Sequence, residues 1–92
     1  LQSIFNIDLR NHKLPAAAAL TIMNDLYQNY QDNPRTGVVV KLEGQAPGAG
    51  VNRCSLAALE QDPNAQSEGS PLSKYNVLKD VWTITLDTTI TQ

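Results

Sequence analysis

The sequence is short of most groups that carry chemistry. It has one cysteine, one histidine, one tryptophan, one methionine and one phenylalanine in 92 residues. A single Cys54 excludes an internal disulfide and any Cys-rich zinc site, and it leaves the redox compartment open. A lone His12 excludes His-rich metal clusters, and with Leu9 three residues before it no Glu-x-x-His arrangement is present. The nine acidic residues are spread singly, with Glu60 and Asp62 the closest pair, and no calcium-loop spacing appears. We therefore expect no metal and no cofactor. No apolar run approaches bilayer length, so no membrane span is expected in this chain, and no secretory signal pattern opens it. The seven Lys and Arg residues are dispersed and not interleaved with aromatics, and the formal net charge is only −2. That argues against nucleic-acid binding.

What the chain does have is alternation. From Lys79 to Thr91, the even positions Trp82, Ile84, Leu86 and Ile90 continue the parity of Leu78, opposite Val81, Thr83, Thr85, Asp87 and Thr89. Period 2 with β-branched and aromatic residues predicts a long strand with one apolar and one Thr-rich face. Phe5, Ile7 and Leu9 alternate with Asn6, Asp8 and Arg10, which predicts a first strand over Ser3 to Arg10. Val38, Val40 and Leu42 predict a second, short one.

Between the first two strands, Pro15 to about Gln31 predicts a helix. Pro15 suits a first turn, Ala16 to Ala19 favour helix, and Ala19, Leu20, Met23, Leu26, Tyr27 and Tyr30 recur at spacings of three and four. Asp32, Asn33 and Pro34 end it. Gly44 to Arg53 is Gly-rich loop, Ser55 caps a short helix over Leu56 to Gln61, and Asn64 to Ser73 is polar and turn-rich. The chain reads as one domain, 1–92, with a long loop or insertion at about 43–75, and loops of that length are usually functional or disordered.

These elements assemble as a small α+β two-layer sandwich. A three- to four-stranded sheet carries one long helix on one face, as a split βαβ unit with the C-terminal strand antiparallel between the first two. Such a core supplies only about 3–5 kcal/mol. Neighbours pairing with the sheet edges are expected to add to it.

The candidate functional groups each have a plain alternative. Arg53 before a helix start gives Cys54 an electropositive setting that can activate a thiol, and His12 would be its base, but nothing in the spacing brings them together. Gly48 and Gly50 follow a strand yet lack the Lys and Ser/Thr of a phosphate-binding loop. Tyr27 and Tyr30 form either a recognition stripe or a core face with hydroxyls at the rim. Thr83 and Thr85 form either an association surface or an ordinary solvated sheet face. The interaction candidates are thus Gly48, Gly50, Arg53, Tyr27, Tyr30, Thr83 and Thr85, with no catalytic residue assigned.

The order of strand, Ala-rich helix and Val-rich strand over about Phe5 to Leu42 resembles the small ring-building modules of secretins and related bacterial envelope machines. The resemblance is topological, and the long loop with Cys54 departs from it. It implies an assembly module. The expected function is therefore a non-enzymatic protein-protein interaction or assembly domain of a multiprotein bacterial envelope or phage structure, acting through a sheet edge and the Gly-rich loop. Its partner would be another protein or a second copy. The first residue is Leu1, and the chain ends soon after a strong strand, as expected of a processed chain or a cut domain, extracytoplasmic or in a virion. The alternative is a small enzyme or ligand-binding domain using the cleft between the helix and the 43–75 loop.

Overall fold

In the computed structural model, residues 5–45 and 52–88 are described. Strand β1 (Asn6–Asp8) leads into helix α1 (Ala16–Asp32), and strand β2 (Val39–Lys41) follows. Helices α2 (Leu56–Gln61) and α3 (Pro71–Leu78) then return the chain to strand β3 (Thr83–Thr85). The three strands form one sheet in the order β1-β2-β3, and both pairings are parallel. Among the described residues the fold is a small compact α+β arrangement of three parallel strands and three helices.

The register aligns Ile7, Val40 and Ile84 across the sheet. Their face meets the helices, and Val38, Val40 and Leu42 are buried there. Helix α1 presents Ala19, Met23 and Leu26, at spacings of four and three, to that core. Ser55 caps α2 by accepting from the Ala58 N–H at 3.1 Å. Leu59 and Trp82 complete the packing. The opposite face of the sheet carries Asn6, Asp8, Thr83 and Thr85, all exposed, with Val39 and Lys41 between them half-buried. Parallel sheets normally have both faces covered.

Two expectations need correction. The final strand is parallel, not antiparallel, and it lies at the edge beside β2, which is itself central; β1 and β2 are direct neighbours, so the βαβ unit is not split. The strand is also far shorter than Lys79 to Thr91, within the residues described. Leu78 ends a helix, and Trp82 reaches the core because its N–H donates to the Leu78 carbonyl at 2.7 Å, in a helical i, i+4 turn. A spacing of four satisfies both periods, so strand alternation and helical turn look alike at those two positions.

The second correction is α3 itself. Ser70 accepts from the Ser73 N–H at 3.1 Å and Pro71 sits in the first turn, a strong helix start. Leu72, Tyr75 and Leu78, three apart, give it an inner face. The stretch 43–75 thus holds α2, a run of turns and the first half of α3.

Candidate functional site

Three places gather groups of interest. The first is the carboxyl end of the strands, where ligands bind in open α/β sheets. Here Gln45 is fully buried. Its Oε1 accepts from the N–H groups of His12 at 3.2 Å and Leu14 at 3.0 Å. Its Nε2 donates to the carbonyls of Leu9 at 2.6 Å and Leu42 at 3.0 Å. One side chain thereby satisfies the exits of β1 and β2 together. The carboxylate of Asp87 accepts from the N–H groups of Gly44 and Gln45, each at 2.8 Å, and meets Arg53 Nε at 3.4 Å.

Backbone conformation belongs to the same construction. Gly44 has φ +78°, and a Cβ there would run into Oδ1 of Asn11. Asn11 and Lys13 themselves have φ of 61° and 55°. Asn tolerates that region well and Lys does so poorly, so the β1 exit is held in place by its neighbours. Every polar atom of the Gln45 amide and of the Asp87 carboxylate is engaged. This end of the sheet is a tether between distant segments.

Cys54 is near it in the chain and wholly buried. Its N–H donates to the Leu14 carbonyl at 2.9 Å, so the backbone does bring it close to the His12 turn. Burial, and secondarily the Asp87 charge, push its thiol up to about 11. A thiol so placed stays protonated at neutral pH and is not an activated nucleophile. His12 is exposed, and its Nδ1–H donates to the Arg10 carbonyl at 2.7 Å. Arg53, expected to give the thiol an electropositive setting, is buried against Asp87.

The second place is a shallow groove of about 270 Å³ against α3, lined by Tyr27, Glu68, Gly69, Ser73, Lys74 and Val77. It is slightly below the usual range for small-molecule sites, roughly 300–1,000 Å³. Lys74 Nζ already occupies the Tyr27 ring at 5.7 Å and holds Asn24 at 2.9 Å. Tyr30 goes elsewhere, standing edge-on to Trp82 with ring centroids 5.7 Å apart. The two tyrosines are both half-buried but do not form one stripe.

The third place is β1 and the open face beside it. The Phe5 carbonyl and the Leu9 N–H bond to β2 at 2.8 and 2.9 Å. By alternation, the backbone groups of Asn6 and Asp8 point away from β2, along an edge that no described strand covers. The other edge is partly occupied: Ser55 bridges Asp87, and the Leu56 N–H donates to the Asp87 carbonyl at 2.8 Å. On the open face, Arg10 holds Asp8 through Nε at 2.9 Å and Nη2 at 2.8 Å. Thr85 Oγ1 donates to Glu43 at 2.8 Å.

At the amino end of β1, Phe5 is 50 % exposed. The Arg35 guanidinium lies between Phe5 and Trp82, 5.6 and 5.2 Å from their ring centres. Sequence reasoning missed this stack, as it missed Gln45. Phe5, Arg35 and Trp82 are far apart in sequence, and an isolated loop Gln looks solvated.

Of the expected interaction residues, Thr83 and Thr85 are on the open face, Tyr27 is in the groove, Tyr30 packs on Trp82 and Arg53 belongs to the tether. Gly48 and Gly50 lie outside the described residues. Among those described, no group of three or more His, Cys, Asp and Glu residues could hold a metal, and no helix is long and apolar enough to cross a membrane. Comparison with protein-family models, curated proteins and solved structures found no match to this chain.

Proposed function

We propose that this chain is a non-enzymatic interaction domain that takes up a strand of another protein chain along the outer edge of β1. The observation that carries this reading is the outward row of backbone N–H and C=O groups at Asn6 and Asp8. Such an edge is a template for β-augmentation, in which main-chain hydrogen bonds supply affinity and alternate side chains supply selectivity. Phe5, Ile7 and Leu9 lie on the core side of that edge, only partly covered, and would be shielded by apolar residues of an added strand. Assembly in an envelope or virion would be one use of such an edge.

A display library of random twelve-residue peptides, selected on this chain alone and then assayed one by one against Asn6→Pro, tests the reading. Proline removes one outward N–H and leaves the β1–β2 bonds intact. Selected peptides with period-2 apolar patterning that lose binding to Asn6→Pro are expected. Binders indifferent to that substitution, or none at all, overturn the proposal.

A further inference from the structure

Resting on that reading, we infer that the strand β1 accepts is the β1 of a second copy, paired antiparallel about a two-fold axis at Ile7. The argument is one of self-complementarity. Ile7 bonds to β2, so Ile7 facing its symmetry mate is a non-hydrogen-bonded pair, the closer of the two antiparallel spacings. Asn6 then faces Asp8 of the second copy, and the two exchange both backbone bonds. The symmetric pair does the same, giving four bonds in all.

The side chains agree with that register on both faces. On the open face each Asp8 carboxylate, charged and already held by Arg10, meets an Asn6 carboxamide that can donate to it. On the core face Ile7 meets Ile7, and Phe5 meets Leu9 of the other copy. The exposed half of Phe5 is thereby covered. Sliding the pairing by one step towards the carboxyl end would set the two Asp8 carboxylates opposite each other, a destabilising like-charge pair. The register centred on Ile7 avoids this and uses the whole of β1. The two three-stranded parallel sheets become one six-stranded sheet, with both helical layers on the same face. Isologous contacts of this kind close on themselves and do not propagate.

The test is sedimentation equilibrium of the whole chain from micromolar to millimolar concentration, joined to cysteine cross-linking. Native Cys54 is buried and does not interfere. Reversible dimerisation is expected, abolished by Asn6→Pro at an unchanged urea midpoint. Asn6→Asp puts a carboxylate opposite Asp8 at two symmetric positions and should weaken association about tenfold. Adding Asp8→Asn restores a carboxylate facing a carboxamide and should recover it. Ile7→Cys should form a symmetric disulfide under mild oxidation, because its Cα atoms would be about 4.5 Å apart. Phe5→Cys should not, its mate being about 13 Å away along the strand.

A monomer at millimolar concentration, or cross-linking of Ile7→Cys no faster than that of Phe5→Cys, overturns this inference. If peptides still bind the β1 edge in the display selection, the strand-uptake reading survives that failure. If they do not, both fall.

Discussion

Gln45 and Asp87 are joined by one hydrogen bond that links the exits of β2 and β3. The Gln45 N–H donates to Oδ2 of Asp87 at 2.8 Å, while the Gln45 side chain turns inward to serve four backbone groups of the other two strand exits. Gln45→Leu keeps the volume but orphans the N–H groups of His12 and Leu14 and the carbonyls of Leu9 and Leu42. Each buried group left unmatched costs roughly 1–3 kcal/mol. Partial access to water moderates the sum, and a loss of about 3 kcal/mol is expected. That is most of the stability of a core this size, about 3–5 kcal/mol. Urea unfolding followed by circular dichroism measures it, and a loss under 1 kcal/mol would mean the tether is dispensable.

The patterns that survive translation into structure are those in which one period had no competitor. Ala19, Met23 and Leu26 could only be a helix face, and Val38, Val40 and Leu42 only a strand face. Leu78 and Trp82 were ambiguous because four residues are both two strand repeats and one helical turn. Strand direction left no mark at all: Thr83 to Thr85 alternates identically whether parallel or antiparallel, and only the path through α2 and α3 sets it. Gln45 and Arg53 were illegible for a different reason. Their burial depends on partners distant in the sequence, Leu9, Leu14 and Asp87, which no local window contains.

Cys54 gives a chemical test of the core. With its thiol at about 11 and the ordinary value at 9.0, folding favours the protonated form. That stabilisation is complete below pH 9 and is lost as the pH rises through 11. At pH 8 the native protein should resist Ellman's reagent, reacting only through opening, and should become reactive across the urea transition. Rapid labelling without denaturant would show that the thiol is accessible after all.

Asp8 titrates in the opposite sense. The Arg10 guanidinium, and then the Arg10 backbone N–H, hold its carboxyl down to about 2 from an ordinary 3.8. The pair stabilises the fold above pH 4 and the contribution disappears as the pH falls towards 2. Both groups face water, so the effect on stability is small. Arg10→Met should raise the Asp8 value part of the way back, since the backbone donor remains. Carboxyl carbon shifts followed by NMR between pH 1.5 and 6 read it directly, and an unchanged titration would assign the shift to the backbone alone.

Trp82 ties the helical layer to the strand loop through Arg35. Its Nε1–H donates to the Arg35 carbonyl at 2.9 Å, its ring receives the Arg35 guanidinium, and Tyr30 stands against it edge-on. Trp82→Phe removes the hydrogen bond, leaving the carbonyl to find another donor, and shrinks both ring contacts. These add to about 2 kcal/mol. Phe5→Ala removes only the outer leaf of the same stack, half of it in water already, and should cost less than about 1 kcal/mol in the monomer. Unfolding both variants by urea at low micromolar concentration orders them. If Phe5→Ala proved the more costly, the guanidinium would depend on Phe5 more than on Trp82, and β1 would be held at its amino end by that ring.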